Sequence, residues 1–448
     1  MNELLSIYDL LLTPIYLGIT LLIAKWYESN KIRTNPEYKF FTRGLLVKII
    51  GAFALGFVYF FYYGGGDTTN YFQSANAYVN LSFHNWDNFI DGWLGKPSLL
   101  NAIGFFSDET GFPVYYHRDP HSFFVVRLLV PIVFLGANSY FCSSILVAAI
   151  TYSGTWKLYK TFLAEFPKLQ KELAIAIIFI PSCVFWGSGL MKDSFTLSAI
   201  GWFTYGFYYF FIKKRRSFSF AMQIVLSSFV IISIKPYIFF ALLPGAILWL
   251  SNQQISKIQN NTLRFMATPL LLTVGALGGF FALSKMGDSL GLYRVDKVLE
   301  RAVIVQKDMK AAYYGGKSFD IGDFDASTEG ALSKAPQAVF AGLFRPGIWD
   351  VKNAVMLVSS LENTYLLLLT LLLLVKLKFF GFFNMIRVNP LVLFSMLFSL
   401  FFAFSVGLTV ANFGSLVRLR IPELPFFVAG VFIIRHLYEI KSGKKLKI

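Results

Sequence analysis

Long apolar runs, separated by clusters of Lys and Arg or by short stretches rich in Gly, Pro and acids, organise the whole chain. A helix needs about 20 apolar residues to cross the hydrocarbon core of a bilayer. Eleven runs meet or approach that length: 8–26, 44–63, 139–159, 172–188, 194–212, 217–234, 236–251, 264–284, 353–375, 388–411 and 421–437. The seventh is short and is interrupted by Pro244-Gly245. The pattern predicts an all-α polytopic membrane protein with about 11 transmembrane helices, a single membrane domain over 1–448. Two connections are long, 64–138 and 285–352, and are expected to be exoplasmic loops containing interfacial or amphipathic helices. In the second, 296–310 sets Val298, Leu299, Val303 and Ile304 against Lys297, Glu300, Arg301, Lys307 and Asp308, an amphipathic helical pattern.

Loop charge predicts the orientation. Basic residues crowd 25–48 (Lys25, Lys31, Arg33, Lys39, Arg43, Lys48), 157–171 (Lys157, Lys160, Lys168, Lys171), Lys213-Lys214-Arg215-Arg216, and the tail (Lys441, Lys444, Lys445, Lys447). Placing all four inside puts the N-terminus outside and the C-terminus in the cytoplasm, as an odd number of spans requires. If Phe123–Leu135 also crossed, every later loop would invert, so parity makes it an interfacial or re-entrant helix on the outer face. Glu3 and Asp9 precede the first basic residue, Lys25, so the first run reads as an anchor and not as a cleavable signal.

Composition agrees with a membrane protein. Hydrophobic residues make up 56% and charged residues 15%, against about a quarter charged in soluble domains. That excludes a soluble enzyme, a disordered chain and a nucleic-acid-binding module. The net charge of +16 follows from basic inner loops, with anionic headgroups or a phosphate-bearing lipid substrate as further partners for it. Cys142 and Cys183 have no partner at ligand spacing, and the four His form no metal-binding array. No metal site, cofactor or nucleotide-binding fingerprint is therefore expected, although a divalent cation is left open.

Polar residues that orientation does not explain gather at span ends assigned to the outer side. Gly64-Gly65-Gly66-Asp67 follows the second span, and Tyr71 opens the amphipathic stretch behind it. Asp67 suits a general base for a sugar hydroxyl, or a residue that starts the next helix; the two roles are compatible. His117, Arg118 and His121 suit a phosphate or pyrophosphate and equally a headgroup-anchoring belt. Arg127 lies in an apolar stretch, where a charge is costly unless paired or snorkelling. Lys192 and Asp193, behind Gly187 and Gly189, occupy one tight outer hairpin tip and Lys235 another, fitting either an anionic ligand or solvated turns. Arg345 and Asp350 bracket a Pro-Gly turn, and Glu362 lies about two turns into the next span. An intramembrane carboxylate is a functional candidate by default. Arg418 and Arg420 sit in a very short outer loop, where two guanidiniums suit a phosphate or pyrophosphate. Asp320, Asp323 and Asp325 fit a cation, sugar hydroxyls or a solvated loop.

Several of these segments together resemble GT-C type polyprenyl-phosphate-sugar glycosyltransferases. Gly66-Asp67-Thr68-Thr69-Asn70-Tyr71 looks like the family's first-loop acidic motif, which implies that Asp67 is the catalytic base. The stretch Trp186-Gly187-Ser188-Gly189-Leu190-Met191-Lys192-Asp193 is similar to a hairpin of bacterial members. Arg418-Leu419-Arg420-Ile421-Pro422 would supply cations facing the lipid phosphate. The resemblance implies a bacterial inner-membrane enzyme working on the outer face. Its donor would be a polyprenyl-phosphate-linked sugar and its acceptor a lipid-linked or surface glycan. The chain departs from the family in its extra leading span and in the solitary Asp67. O-antigen-type polysaccharide polymerases share the spans, the long outer loop and the outer arginines, and a lipid or glycan transporter is the alternative from a different class.

Overall fold

The structure, a computed structural model, describes residues 7–95, 104–255, 259, 260, 263, 295–309, 318–443 and 446. The expected span at 264–284 lies outside the described residues. Among the described residues the fold is helical, with one isolated antiparallel bridge between Ser318 and Asn412. Four helical stretches are long and apolar enough to cross a membrane: Asp9–Ile32, Pro36–Tyr62, Met356–Arg387 and Pro390–Thr409. A fifth arises if Pro120–Leu135 and Tyr140–Glu165, bent by 114°, count as one span. That bend falls on the segment whose crossing the parity argument left in question. Several other expected spans are short or broken. The run at 172–188 forms two helices, Gln170–Ile177 and Pro181–Trp186, and the run at 217–234 forms one of 17 residues.

The chain divides into two compact units: Met1–Leu158 with Cys183–Phe203 and Val225–Lys235, and Tyr159–Ser182 with Thr204–Ile224 and Pro236–Ile448. In the first unit, α1 (Ile7–Ile32) packs on α2 (Phe41–Phe57), which continues through a π-helical turn at Val58–Tyr62. The long connection after it is helical: α3 (Asp67–His84), α4 (Trp86–Leu94) and α5 (Pro120–Leu135). On α3, Thr68, Tyr71, Phe72, Ala75, Tyr78 and Val79 repeat at helical spacing and are all buried. They meet Val125, Leu129 and Val133 of α5 in one apolar core. The next helices are α6 (Tyr140–Glu165), α7 (Gln170–Ile177), α8 (Pro181–Trp186), α9 (Lys192–Phe207) and α10 (Phe218–Ile234). Where α6 and α9 cross, Gly154 lies against the Ser198 carbonyl and Gly201 against the Gly154 carbonyl, so a side chain at either glycine would collide with backbone. Small residues that admit backbone contact are how apolar helices associate without a hydrophobic driving force.

The second unit includes α11 (Pro236–Ile255), α12 (Val295–Met309), α13 (Thr328–Ser333), α14 (Ala335–Phe344), α15 (Ala354–Val388), α16 (Pro390–Thr409), α17 (Phe413–Leu419) and α18 (Leu424–Ser442). Lys378 leaves the helical conformation inside α15 (φ 57°), so that helix is kinked there. Its crossing of α14 with α16 uses the same device as the first unit: Gly342 lies against the Ala403 backbone and Gly407 against the Ala338 carbonyl. Aromatic packing fills the rest, with Trp249 on Phe394 at 5.0 Å and Phe398 on Phe426 at 5.0 Å. On α12, Gln306 is buried and donates to the carbonyls of Leu408 and Val410, both at 3.1 Å, tying the amphipathic helix to the end of α16.

Candidate functional site

The glycine run before α3 is conformationally required. Gly64, Gly65 and Gly66 have φ of 72°, 123° and 138° in succession, a region that residues with a Cβ rarely enter. The Gly66 amide donates to Thr69 Oγ1 at 3.0 Å and the Thr69 hydroxyl donates back to the Gly66 carbonyl at 2.9 Å, closing the start of the helix. Asp67 is the first residue of α3 and is partly exposed. A carboxylate there is favoured by the positive end of the helix dipole. Its neighbours are fixed: the hydroxyls of Thr68 and Tyr140 pair at 2.8 Å, and Tyr71 stacks on Tyr116 at 4.5 Å with both rings buried. Tyr71 is thus a packing partner of the 115–118 segment, with little ring surface left to offer.

A second set of charges converges in the same unit. Asp119 caps α5, accepting from the amides of His121 (3.1 Å) and Ser122 (3.2 Å) and from the Ser122 hydroxyl. Lys192 donates to the same carboxylate at 3.0 Å. The next residue, Asp193, is fully buried and paired with buried Lys235. A ring nitrogen of His121 meets the Ser233 carbonyl at 2.8 Å. Three helix ends therefore meet through Asp119, Lys192, Asp193 and Lys235, two acids and two lysines in balance. Burial works against the Asp119 charge, but the Ser122 hydroxyl and the Lys192 ammonium prevail and hold its carboxyl below the usual carboxylate range. Asp193 and Lys235 are closed to solvent, whereas the Lys192 side chain is 17% exposed, the lysine of the set that a ligand can reach.

The turn before Lys192 and Asp193 runs beside the middle of α2: Lys48 Nζ donates to the Gly187 carbonyl at 2.5 Å, Val184 packs on Gly51, and Gly189 on Leu55. Gly51 and Gly189 make this approach possible, because a Cβ at either would strike its neighbour. Lys48, counted among the basic loop residues, is buried in α2.

Arg127 has a local explanation. Its guanidinium donates to the carbonyls of Trp93 (2.6 Å) and Gly95 (2.7 Å) and lies 4.7 Å from the Phe123 ring. It therefore satisfies the free carbonyls at the C-terminus of α4, where a cation also complements the dipole. Arg118 is exposed, and the His117 side chain lies outside the described residues.

In the second unit the arginines are also committed. Arg345 makes a two-point pair with Asp350 (3.1 and 2.7 Å) and sits 5.2 Å and 5.1 Å from the rings of Phe319 and Phe413. Arg420 is fully buried. It donates to the carbonyls of Gly342 (3.3 Å), Leu343 (3.2 Å) and Arg345 (3.0 Å) at the end of α14, and to the Asn363 side chain. Arg418 is half-buried. Glu362 accepts from the Ser182 amide at 2.9 Å. Glu423, fully buried, has neither carboxyl oxygen hydrogen-bonded. Among the described residues no three His, Cys, Asp or Glu side chains gather as metal ligands would. Asp323 and Asp325 are exposed and, with Gln306, Lys307 and Phe324, line an open cavity of about 270 Å³.

Three residues of the two networks were not singled out from sequence: Asp119, Lys48 and Glu423. Asp119 carried a signal, an Asp followed by Pro120 at the start of an apolar helix. Glu423 carried another, an acid at the edge of an apolar run. No protein-family model matches the chain, and no curated protein or solved structure matches it either.

Proposed function

We propose that the protein is a multi-pass membrane glycosyltransferase that moves a sugar from a polyprenyl-phosphate donor to a lipid-linked or surface glycan on the outer face of a bacterial inner membrane. The observation that carries this reading is the placement of Asp67: a partly exposed carboxylate on the first turn of a helix, delivered by three left-handed glycines directly after an apolar helix long enough to cross a membrane. In the reaction the acceptor hydroxyl attacks the anomeric carbon as the bond from that carbon to the phosphate oxygen breaks. Asp67 takes the hydroxyl proton, and the electron pair leaves with the polyprenyl phosphate. Lys192, which places one of its three N–H donors on Asp119, supplies positive charge toward the departing phosphate. Arg420 and Arg345 contribute by holding their unit together, since their donors are occupied by carbonyls and by Asp350.

The test is complementation of a deletion strain with Asp67→Asn. Abolished transfer with normal membrane insertion is the expected result; normal glycan from that variant removes Asp67 from the mechanism. One observation favours a second reading, a transporter of an anionic lipid or glycan. Buried Lys48 lies in the middle of a membrane-length helix and donates to the Gly187 carbonyl at a break between helices, an arrangement transporters use for substrate sites. Lipid-linked glycan of complete structure, retained on the inner leaflet of the deletion strain, would select it.

A further inference from the structure

Among the described residues of the second unit, one buried carboxyl group accepts no hydrogen bond and a nearby one accepts at a single oxygen. Arg420, Glu362 and Glu423 lie close together: the Glu423 amide donates to the Arg420 carbonyl at 3.0 Å, and the Arg420 guanidinium donates to Asn363, the residue after Glu362. Glu423, between α17 and α18, is fully enclosed, and neither of its oxygens accepts a hydrogen bond. Glu362, on α15, uses one oxygen for the Ser182 amide while its other is buried without a partner. Arg420 directs its terminal nitrogens to three carbonyls and to Asn363. Arg418, on α17, is half-buried, and α16 and α7 pack on α18 besides α15. Helix α16 presents Ser395 and Ser399, whose hydroxyls bond carbonyls, and α7 buries Leu173, Ala174 and Ile177 while its Lys171 and Glu172 are exposed. Two carboxyl groups thus lie near the Arg420 guanidinium, which hydrogen-bonds carbonyls and Asn363. An ionised carboxylate buried without a donor to either oxygen costs several kcal/mol, which a group avoids by becoming neutral.

We propose that Glu423 is a proton-binding site, and that one proton on its carboxyl makes the Arg420–Glu362–Glu423 cluster electrically neutral. A proton fits better than a metal ion. It needs one acceptor oxygen and no coordination shell, and the Arg420 guanidinium beside the site opposes a second cation. The consequence is a linkage between proton uptake and the junction of α14, α15 and α18, because Arg420 joins the end of α14 to Asn363 of α15 from within the same cluster. Opening that junction to water would release the proton and closing it would take one up. The site is independent of the transferase chemistry assigned to the first unit.

The test is infrared spectroscopy of the full chain in lipid nanodiscs at about pH 7, far above the ordinary range of a carboxyl. A carbonyl band of a protonated carboxylic acid is expected in the wild type, lost in Glu423→Gln and kept in Glu362→Gln. Absence of the band from the wild type overturns the proposal without reference to any variant. Loss of the band only in Glu362→Gln overturns the assignment to Glu423. A thermal stability that rises with added sodium, with no acid band, would replace the proton by a cation and also overturn it. Unfolding as a function of pH is the second measurement. Wild-type stability should fall as pH rises above about 4, because the folded state holds a proton the unfolded state has released. Glu423→Gln should lack that slope.

Discussion

One charge network in each unit is built in the opposite way to the other. In the first, Asp119 and Asp193 face Lys192 and Lys235, acid for base, and every one of these side chains has its ion-pair partner. In the second, one guanidinium serves two carboxyl groups, and its hydrogen bonds go mostly to backbone carbonyls. A balanced buried network resists the loss of either member, since the survivor becomes an isolated charge. An unbalanced one accommodates neutralisation of a carboxyl with little change. Burial alone therefore does not say what a charged residue does; the charge count around it does.

The contrast is sharpest where a partner is removed. Lys235→Met should destabilise the protein by about 3–5 kcal/mol, because buried Asp193 loses its lysine partner, whereas Glu423→Gln should be more stable than the wild type at pH 7, since it needs no proton to fold; chemical denaturation of the detergent-solubilised chains compares them. The double variant Asp193→Leu, Lys235→Met should recover most of the loss, as replacing a whole buried pair often does. Arg420→Lys should cost nearly as much as the single lysine variant, since an ammonium cannot reach three carbonyls and Asn363 together. Next in size is the helix crossing of the first unit. Gly154→Val should cost about 1–3 kcal/mol through forced separation of α6 and α9, read as a lowered midpoint of unfolding.

The smallest effect is expected at Asp119, the more exposed pair. Asp119→Asn keeps the helix cap and should leave unfolding nearly unchanged, while freeing Lys192 and altering transfer rate. Because the folded carboxyl is held below its ordinary range, its contribution is present above the unfolded value near pH 4. It is lost as pH falls through the lower folded value. A wild-type acid limb that Asp119→Asn lacks would show this, and identical acid limbs would contradict it.

Much of this was legible in the chain. The helical class, the membrane-length apolar runs and the need for three glycines before Asp67 follow from hydropathy and from backbone sterics. The grouping of His121, Lys192, Asp193 and Lys235 was expected only as separate outer features. Their convergence depends on Gly51 and Gly189 admitting a broken helix beside α2, which no local pattern announces. Arg127 stood out in sequence as a charge in an apolar stretch and Arg420 as a cation in a very short outer loop. Sequence does not show the helix-end carbonyls that each one satisfies. In sequence Glu423 stands three residues after Arg420, and the structure shows that guanidinium bonded to carbonyls and Asn363.

The most direct test of the transferase reading is mass spectrometry of lipid-linked and surface glycans from a strain lacking the protein. Full-length chains missing one sugar per repeat, or one decoration, are the predicted result. Complete repeats stalled at a single unit would instead identify a repeat-unit polymerase and contradict the role given to Asp67, and glycans identical to those of the parent strain would contradict the reading altogether.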